Sequence, residues 1–333
     1  MVLSRLSKKQ KSKLYKSRRK NYRKKINKKS NKRKNIRRKM SKKGGRLVDK
    51  RELYSSDKTL HLVCGLAGDF CVLDTALNIK SLYPNTNVRF LTYFTRFVFS
   101  NEPTELPPKV EEQLQKANIT YIKSNDSEVC HTPESAGKIA LAGLDIPNAY
   151  EHIVLWVIDM QNDFIERKFS GKEDEGAFEK GAFAVPGTST EQGCKLVEDI
   201  SELIKYFGNR PDTEIVVSRD YHPVGHCSFD IFPPHCVEGT IGAQMNETIL
   251  KAFENIPEDK YSVIFKGCEP ETDSYGAVIY SDNEYLTERS PSCNKRELDK
   301  TGGRNNPNMS SKEALLFNEE IKKVFVKPIS GKL

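Results

Sequence analysis

The chain has 333 residues, of which 37% are hydrophobic and 30% are charged, and its formal net charge is +9. The longest apolar run, Ile153 to Ile158, is far shorter than the roughly 20 residues of a membrane-spanning helix. The N-terminus lacks the apolar stretch of a secretory signal, and the eight cysteines form no CxxC pair. We therefore predict a soluble intracellular protein with reduced thiols and no membrane partner.

The first 43 residues form a basic tail. They contain 22 Lys or Arg and no Asp or Glu, which leaves 32 basic and 45 acidic groups, a net charge of −13, in the rest of the chain. A segment this polar cannot bury enough apolar surface to fold, so we predict that residues 1–45 are disordered. Residues 1–43 are expected to bind nucleic acid or another polyanion, the alternative being a solvated extension without a partner. The expected location is the cytoplasm, or the nucleus or a nucleoprotein particle if the tail directs it there.

Four short apolar runs follow the tail, and polar or reactive residues come directly after each of them. Runs that are apolar on both faces are typical of strands in a parallel sheet covered by helices. Helical patterns lie between the runs, over 71–82, 191–207 and 244–254, and a further short helix is predicted from Val110 to Ala117. This alternation predicts an α/β fold with a mainly parallel sheet between two helical layers. The predicted strands are Leu60 to Cys64, Ile153 to Ile158, Ile215 to Val217 and Tyr261 to Phe265.

The reactive residues after these strands are expected to meet, because ligands of such folds bind beyond the carboxyl ends of the strands. Taken singly, each has an ordinary explanation as a core thiol, a helix cap, a surface charge or a loop histidine. Two kinds of site remain open from spacing alone. One is a metal site with open positions, formed by Asp220, His222 and His235. The other is a site of Cys71, Asp159 and Lys266, in which a helix N-terminus behind a Gly-rich turn would favour the thiolate.

Five segments together resemble the isochorismatase-like cysteine hydrolases, and within that superfamily the nicotinamidases. They cover roughly residues 58–100 and 150–280. The segments are Cys64–Cys71 (CGLAGDFC), Val157–Phe164 (VIDMQNDF), Ser218–Pro223 (SRDYHP), Pro233–Thr240 (PPHCVEGT) and Phe265–Tyr275 (FKGCEPETDSY).

The resemblance implies a role for each matched residue. Cys71 would be the nucleophile, Asp159 the base that takes its proton, and Lys266 the cation that stabilises negative charge. The backbone N–H groups of Ala67 and Cys71 would form the oxyanion hole, and the Leu66–Ala67 bond would be cis. Phe164 would pack against the substrate ring. Asp220, His222 and His235 would bind a divalent metal, with zinc expected.

The motifs stand in a different order from that of the family, in which the cysteine motif comes last. Here it comes first, so the resemblance implies a circularly permuted isochorismatase-like domain over residues 46–333. Its predicted parts are the Cys-motif part (46–122), a connection that joins the old termini (123–150), the Asp, metal and Lys part (151–280), and a polar segment (281–333) ending in a helix over 311–323 and a strand.

The implied activity is metal-dependent hydrolysis of nicotinamide to nicotinate and ammonia through a cysteine thioester, a step of NAD salvage. One alternative is another amidase of the superfamily, acting on an N-carbamoyl or ureido compound. A second is an inactive hydrolase-like body that serves a nucleic-acid-binding tail. Assembly into a homo-oligomer is left open by the sequence.

Overall fold

The computed structural model describes residues 50–100, 105–122, 132–144, 149–166, 181–188, 196–278 and 309–318. The basic tail, the residues around Cys194, most of 281–333 and the C-terminal strand predicted there lie outside these residues. Within them, no helix is long and apolar enough to cross a membrane.

A six-stranded sheet organises the described body, in the order β3-β2-β1-β4-β5-β6. Every pairing between neighbouring strands of this sheet is parallel. The longest registers join β1 to β4 at the centre of the sheet and β5 to β6 at one edge. The strands are β1 (Thr59–Gly65), β2 (Asn87–Thr95), β3 (Thr120–Tyr121), β4 (His152–Ile158), β5 (Thr213–Asp220) and β6 (Tyr261–Lys266).

Helices cover both faces of the sheet, as the apolar runs predict. In β4, Ile153, Leu155 and Val157 face one apolar core, while Trp156 and Ile158 face the other. The helices are α1 (Lys50–Tyr54), α2 (Cys71–Leu82), α3 (Pro108–Lys116), α4 (Pro133–Ala140), α5 (Leu196–Gly208), α6 (Glu247–Ala252) and α7 (Ser311–Leu316). The first core includes residues of α4, α5, α6 and α7, and the second includes residues of α1, α2 and α3.

Three elements differ from the sequence predictions. Strands β2 and β3 were not predicted, and the expected connection contains helix α4, which packs against α5. Thr132 begins α4 with a capping box, in which its side chain accepts from the Ser135 N–H and the Ser135 side chain accepts from the Thr132 N–H. The predicted C-terminal helix is present as α7, whose described turns end at Leu316.

The cysteines depart in one place from the expectation of reduced thiols. Cys64, Cys71, Cys236 and Cys268 are buried thiols. Cys227 is disulfide-bonded, and its partner lies outside the described residues.

Candidate active site

The predicted site residues meet at the carboxyl edge of the sheet, next to β1 and β4. These two strands lie side by side, but the chain continues from β1 to β2 on one side and from β4 to β5 on the other. Such a switch point leaves a crevice between the loops. Cys71 is the first residue of α2, directly after the turn that follows β1, and Asp159 follows β4. Asp220 and Lys266 are the last residues of β5 and β6, where they are register partners.

Lys266 lies at the centre of a buried cluster. Its Nζ is 3.3 Å from Cys71 Sγ, 2.7 Å from Asp159 Oδ2 and 2.5 Å from Asp220 Oδ1. The opposite oxygen of Asp159 accepts a hydrogen bond of 2.7 Å from Ser218 Oγ. Lys266 therefore contacts both the predicted nucleophile and the predicted base.

The charges of this cluster set its protonation states. Burial raises the pKa of Cys71 well above its ordinary value, and the nearby carboxylates raise it further while Lys266 opposes them. Burial also raises the pKa of Asp159, to about 6, against the opposing charge of Lys266. Burial alone would lower the pKa of Lys266, but Asp159 and Asp220 outweigh it, so Lys266 stays charged. At neutral pH the resting site thus holds a neutral thiol, an ammonium and an ionised Asp159 that can accept a proton.

Asp220 also belongs to a group of three buried side chains that could hold a metal ion. Potential ligand atoms of Asp220, His222 and His235 all lie within 4.8 Å of one another. His222 Nδ1 is 2.9 Å from the Gly267 carbonyl, and His235 Nδ1 is 2.7 Å from the Pro233 carbonyl. Each Nδ1–H therefore donates to backbone, which leaves both Nε2 atoms as lone-pair donors, 3.7 and 4.0 Å from Asp220 Oδ2.

This arrangement fits a divalent cation. Two imidazole nitrogens and one carboxylate are a donor set typical of zinc sites with open positions, and a backbone acceptor behind each imidazole is the usual outer support. Burial raises the cost of the Asp220 charge, but the charge of Lys266 outweighs it and keeps the pKa of Asp220 below its usual range.

Gly267 is required at this point of the site. Its φ is +61°, and a Cβ there would lie 2.3 Å from His222 Cε1. Only glycine allows the backbone to pass close enough for its carbonyl to hold the His222 ring.

His226 stacks on His222 with ring centroids 4.2 Å apart, but it is not available as a ligand. Its Nε2 lies 3.1 Å from the Thr272 carbonyl, to which it donates, and its Nδ1 lies 2.7 Å from Ser228 Oγ and accepts from the Ser228 N–H. Both nitrogens are engaged within the protein, so His226 packs against His222 and is not a candidate ligand.

One pocket connects the thiol to the three candidate metal ligands. Cys71, Asp220, His222 and His235 all contribute to its wall. Phe164 lies there as predicted, and sequence reasoning missed the other aromatic walls because they come from separate loops. The aromatic lining residues are Phe70, Phe164, Phe183, Phe232 and Tyr275.

The remaining prediction concerns the turn before Cys71. Ala67 lies in the pocket wall beside Cys71, and the Leu66–Ala67 peptide bond is cis, as the resemblance implies. The structure therefore brings together all of the site residues predicted from the sequence. It adds Ser218, whose signal was its place two residues before Asp220 in the same motif.

Comparison with known proteins gives a relative that agrees with this geometry. The chain is 25% identical over 173 residues to the nicotinamidase of Saccharomyces cerevisiae, a match that covers 44% of this chain and 70% of the relative. Part of this chain is therefore similar in sequence to a known nicotinamidase. No protein-family model matches it.

Two solved structures also match parts of the chain. One is the pyrazinamidase of Pyrococcus horikoshii in complex with zinc, with 30% identity, a TM-score of 0.26, and coverage of 37% of this chain and 56% of that one. The other is an isochorismatase-like hydrolase from Alkaliphilus metalliredigens, with 23% identity, a TM-score of 0.26, and coverage of 40% and 60%. This chain thus spans less than two thirds of either protein, and the fold assignment rests on the strand order described above.

Proposed function

We propose that this protein hydrolyses the carboxamide of nicotinamide, giving nicotinate and ammonia. The proposal rests on the shared pocket. Its wall contains the Cys71 thiol, the three candidate metal ligands and several aromatic side chains. Lys266 contacts both this thiol and Asp159. The nicotinamidase relationship supports the same reaction.

The proposed chemistry begins with the neutral thiol. Cys71 Sγ attacks the amide carbon while its proton passes to Asp159, and the C=O π electrons move to oxygen. The N–H groups of Ala67 and Cys71 are proposed to hold this oxyanion, while Lys266 balances the negative charge of the cluster. Asp159 then returns the proton to the amide nitrogen, the C–N bond breaks, and ammonia leaves a thioester on Cys71.

Water completes the cycle. Asp159 takes a proton from water as the water oxygen attacks the thioester carbon. The C–S bond then breaks, the acid is released, and Asp159 passes its proton to Cys71 Sγ, which restores the thiol. A divalent cation, which we propose to be zinc held by Asp220, His222 and His235, supplies a Lewis acid to this pocket when bound.

The pocket walls favour a small flat ring. Phe183 and His235 have ring centroids 5.2 Å apart, and Phe164 lies 5.4 Å from His235. Aromatic side chains on several sides of a narrow pocket select a single planar ring over a bulky or flexible group. This feature favours nicotinamide over the N-carbamoyl and ureido substrates of the alternative amidases.

The test is a comparison of kcat/KM for ammonia release from nicotinamide, pyrazinamide and an N-carbamoyl amino acid, with Cys71→Ala as the baseline. We expect the two ring amides to be at least about 100-fold better substrates than the carbamoyl compound. A preference for the carbamoyl compound would favour the alternative amidase, and no thiol-dependent turnover of any of them would favour an inactive body.

We also propose that the domain is circularly permuted. The strand order 3-2-1-4-5-6 is unchanged when the first three strands are exchanged with the last three. Either half can therefore come first in the chain, and Cys71 from one half still meets Asp159, Asp220 and Lys266 from the other.

The basic tail is a separate proposal. We propose that residues 1–43 bind polyanions such as nucleic acid, because 22 basic groups without an acidic one attract phosphate backbones at low salt. Deleting residues 1–43 should abolish salt-sensitive binding of a labelled single-stranded RNA and leave amide hydrolysis unchanged. Binding that survives the deletion would locate the contact in the acidic body and contradict the proposal.

A role in NAD salvage follows from the proposed reaction, and we propose the cytoplasm as its location.

A further inference from the structure

Residues 161–163, which follow the predicted base Asp159, contact the segments that bear all three predicted metal ligands. We call them the QND segment. We propose that the QND segment positions the metal ligands, so that Gln161 and Asp163 determine metal affinity without touching the ion. This inference rests on the ligand set of the proposed function.

Gln161 fixes the backbone of Asp220. The Asp220 N–H donates to Gln161 Oε1 at 2.7 Å, and Gln161 Nε2 donates to the Asp220 carbonyl at 2.6 Å and to the Ala243 carbonyl at 2.9 Å. The side chain is fully buried, and its amide satisfies one donor and two acceptors of the neighbouring backbone. It therefore joins the strand that carries Asp220 to the loop that follows His235.

Asp163 fixes the backbone between the two histidine ligands. Its Oδ2 accepts from the Cys236 N–H at 2.7 Å, and its Oδ1 accepts from the Ala182 N–H at 3.1 Å. The Cys236 carbonyl in turn accepts from the His222 N–H at 3.0 Å. Cys236 thus links Asp163 to the His222 backbone through hydrogen bonds and to His235 through the chain.

The loop makes these contacts at a conformational cost. Cys236 has φ of +47°, a left-handed conformation that is unfavourable for a residue with a side chain, and the carboxylate of Asp163 holds it there. Gly242 packs against the same carboxylate, since a Cβ at this position would lie 2.0 Å from Asp163 Oδ2. The Asp163 N–H also donates to the Gly242 carbonyl at 3.1 Å.

The chemistry of Asp163 suggests a sharp substitution. A carboxylate accepts through both oxygens, whereas the amide of Asp163→Asn has nearly the same volume but can accept through only one. Its NH₂ group must then face a backbone N–H, of Cys236 or of Ala182. We expect this variant to shift the segment around Cys236, next to His235, without removing a ligand or creating a cavity.

Asp69 provides a matched control on the other side of the site. Its two oxygens accept from the N–H groups of Val98 and Phe99 at 3.0 and 2.9 Å, in the same manner as Asp163. Asp69→Asn therefore loses the same kind of contact in the turn before Cys71, away from the metal ligands.

The experiment measures zinc affinity of the full chain by competition with a chromophoric chelator, and the thermal midpoint of each metal-free protein. We expect Asp163→Asn to weaken zinc binding by about 10- to 100-fold, the range found for outer-shell substitutions. Asp69→Asn should stay within about threefold of wild type even where its thermal midpoint falls by a similar amount. Because no substrate is used, failure of nicotinamide hydrolysis would leave this result intact.

Gln161→Glu is the second variant, in case Asp163→Asn does not fold. It keeps the acceptor for the Asp220 N–H but places an oxygen against the Asp220 and Ala243 carbonyls, so the same weakening is expected. Three results would each overturn the proposal. The folded variants could bind zinc within about threefold of wild type, Asp69→Asn could weaken zinc binding equally, or the wild type could bind no zinc.

Discussion

Among single residues, Lys266 depends strongly on its neighbours, because a buried cation is unstable without nearby negative charge. It is a fully buried cation that contacts one thiol and two carboxylates. Removing its charge would leave Asp159 and Asp220 without their shared counter-ion, so both carboxyls and the thiol would hold their protons more tightly.

We therefore expect Lys266→Met to lower kcat/KM for amide hydrolysis by at least about 100-fold and to slow alkylation of Cys71 by iodoacetamide at mildly alkaline pH. The control is Lys260→Met, at the opposite end of β6, where the ammonium donates to the carbonyls of Arg210 and Pro211. If Lys266→Met kept the wild-type rate of Cys71 alkylation and the wild-type kcat/KM, Lys266 would have no part in the mechanism.

His61 lies within the sheet, in the N-terminal half of β1 and away from the carboxyl edge that bears the site. Trp156 Nε1 donates to its Nδ1 at 3.0 Å, and its Nε2 donates to the Tyr54 carbonyl at 3.0 Å. Burial lowers the pKa of His61 to about 4, so the native imidazole is neutral where the unfolded one, with an ordinary value near 6.5, becomes charged.

The unfolded state thus binds the extra proton between about pH 6.5 and 4, and stability falls as pH falls through this window. Between about pH 6.5 and 5 the loss from this one group is about 1.5 kcal/mol. His61→Gln can keep both hydrogen bonds and does not titrate. The free energy of unfolding, measured by urea at both pH values, should fall less in the variant than in wild type, by that amount. Equal decreases in the two proteins would contradict the prediction.

At the scale of elements, Arg219 joins helix α7 to the sheet. Its buried guanidinium donates to the carbonyls of Ala314 and Leu315 at the end of α7, at 2.9 and 3.3 Å, and to the Ala243 carbonyl at 2.8 Å. Burial lowers its pKa to about 10, which still leaves it charged at neutral pH. A short helix ending in buried carbonyls depends on such donors.

Arg219→Met should leave these carbonyls without their donors and lower the free energy of unfolding by about 2–4 kcal/mol. Hydrogen exchange within α7 should rise in the same variant. Arg210→Met, which breaks a partly exposed pair with Asp212, should cost less than about 1 kcal/mol. Equal effects of the two substitutions would mean that α7 is held by its apolar contacts alone.

The sequence predicted these elements unevenly, for physical reasons. The four apolar runs became β1, β4, β5 and β6 because their residues are buried on both faces. β2 escaped detection because Arg89 and Thr92 interrupt its pattern. Both are nonetheless buried, and Arg89 donates to the carbonyls of Ala140 and Ala142.

The site was more predictable than the fold around it. Its reactive residues stand at the ends of strands or in the turns after them, where parallel-sheet geometry brings Cys71, Asp159 and Lys266 to one edge. The supporting contacts were not predictable in this way. Ser218, Gln161 and Asp163 act through hydrogen bonds to groups distant in the sequence, which only the folded chain defines.

At the scale of the whole molecule, the proposed permutation can be tested by rearranging the chain. The rearranged chain starts at residue 149, runs to 333, and continues through a Gly/Ser linker into residues 46–148. Because the strand order is the same from either half, we expect this chain to unfold cooperatively and to keep amide hydrolysis within about tenfold of wild type. A rearranged chain that folds but lacks all activity would contradict the interchangeability of the halves.

We propose that this chain is a working amidase with a thiol and a metal in one pocket. The most direct test is ammonia release from nicotinamide by wild type and by Cys71→Ala, each before and after removal of divalent metal with a chelator. Of the four samples, we expect only the untreated wild type to release ammonia, and added zinc to restore the chelated wild type. A folded, zinc-loaded wild type that releases no ammonia, or a Cys71→Ala variant that still does, would contradict it.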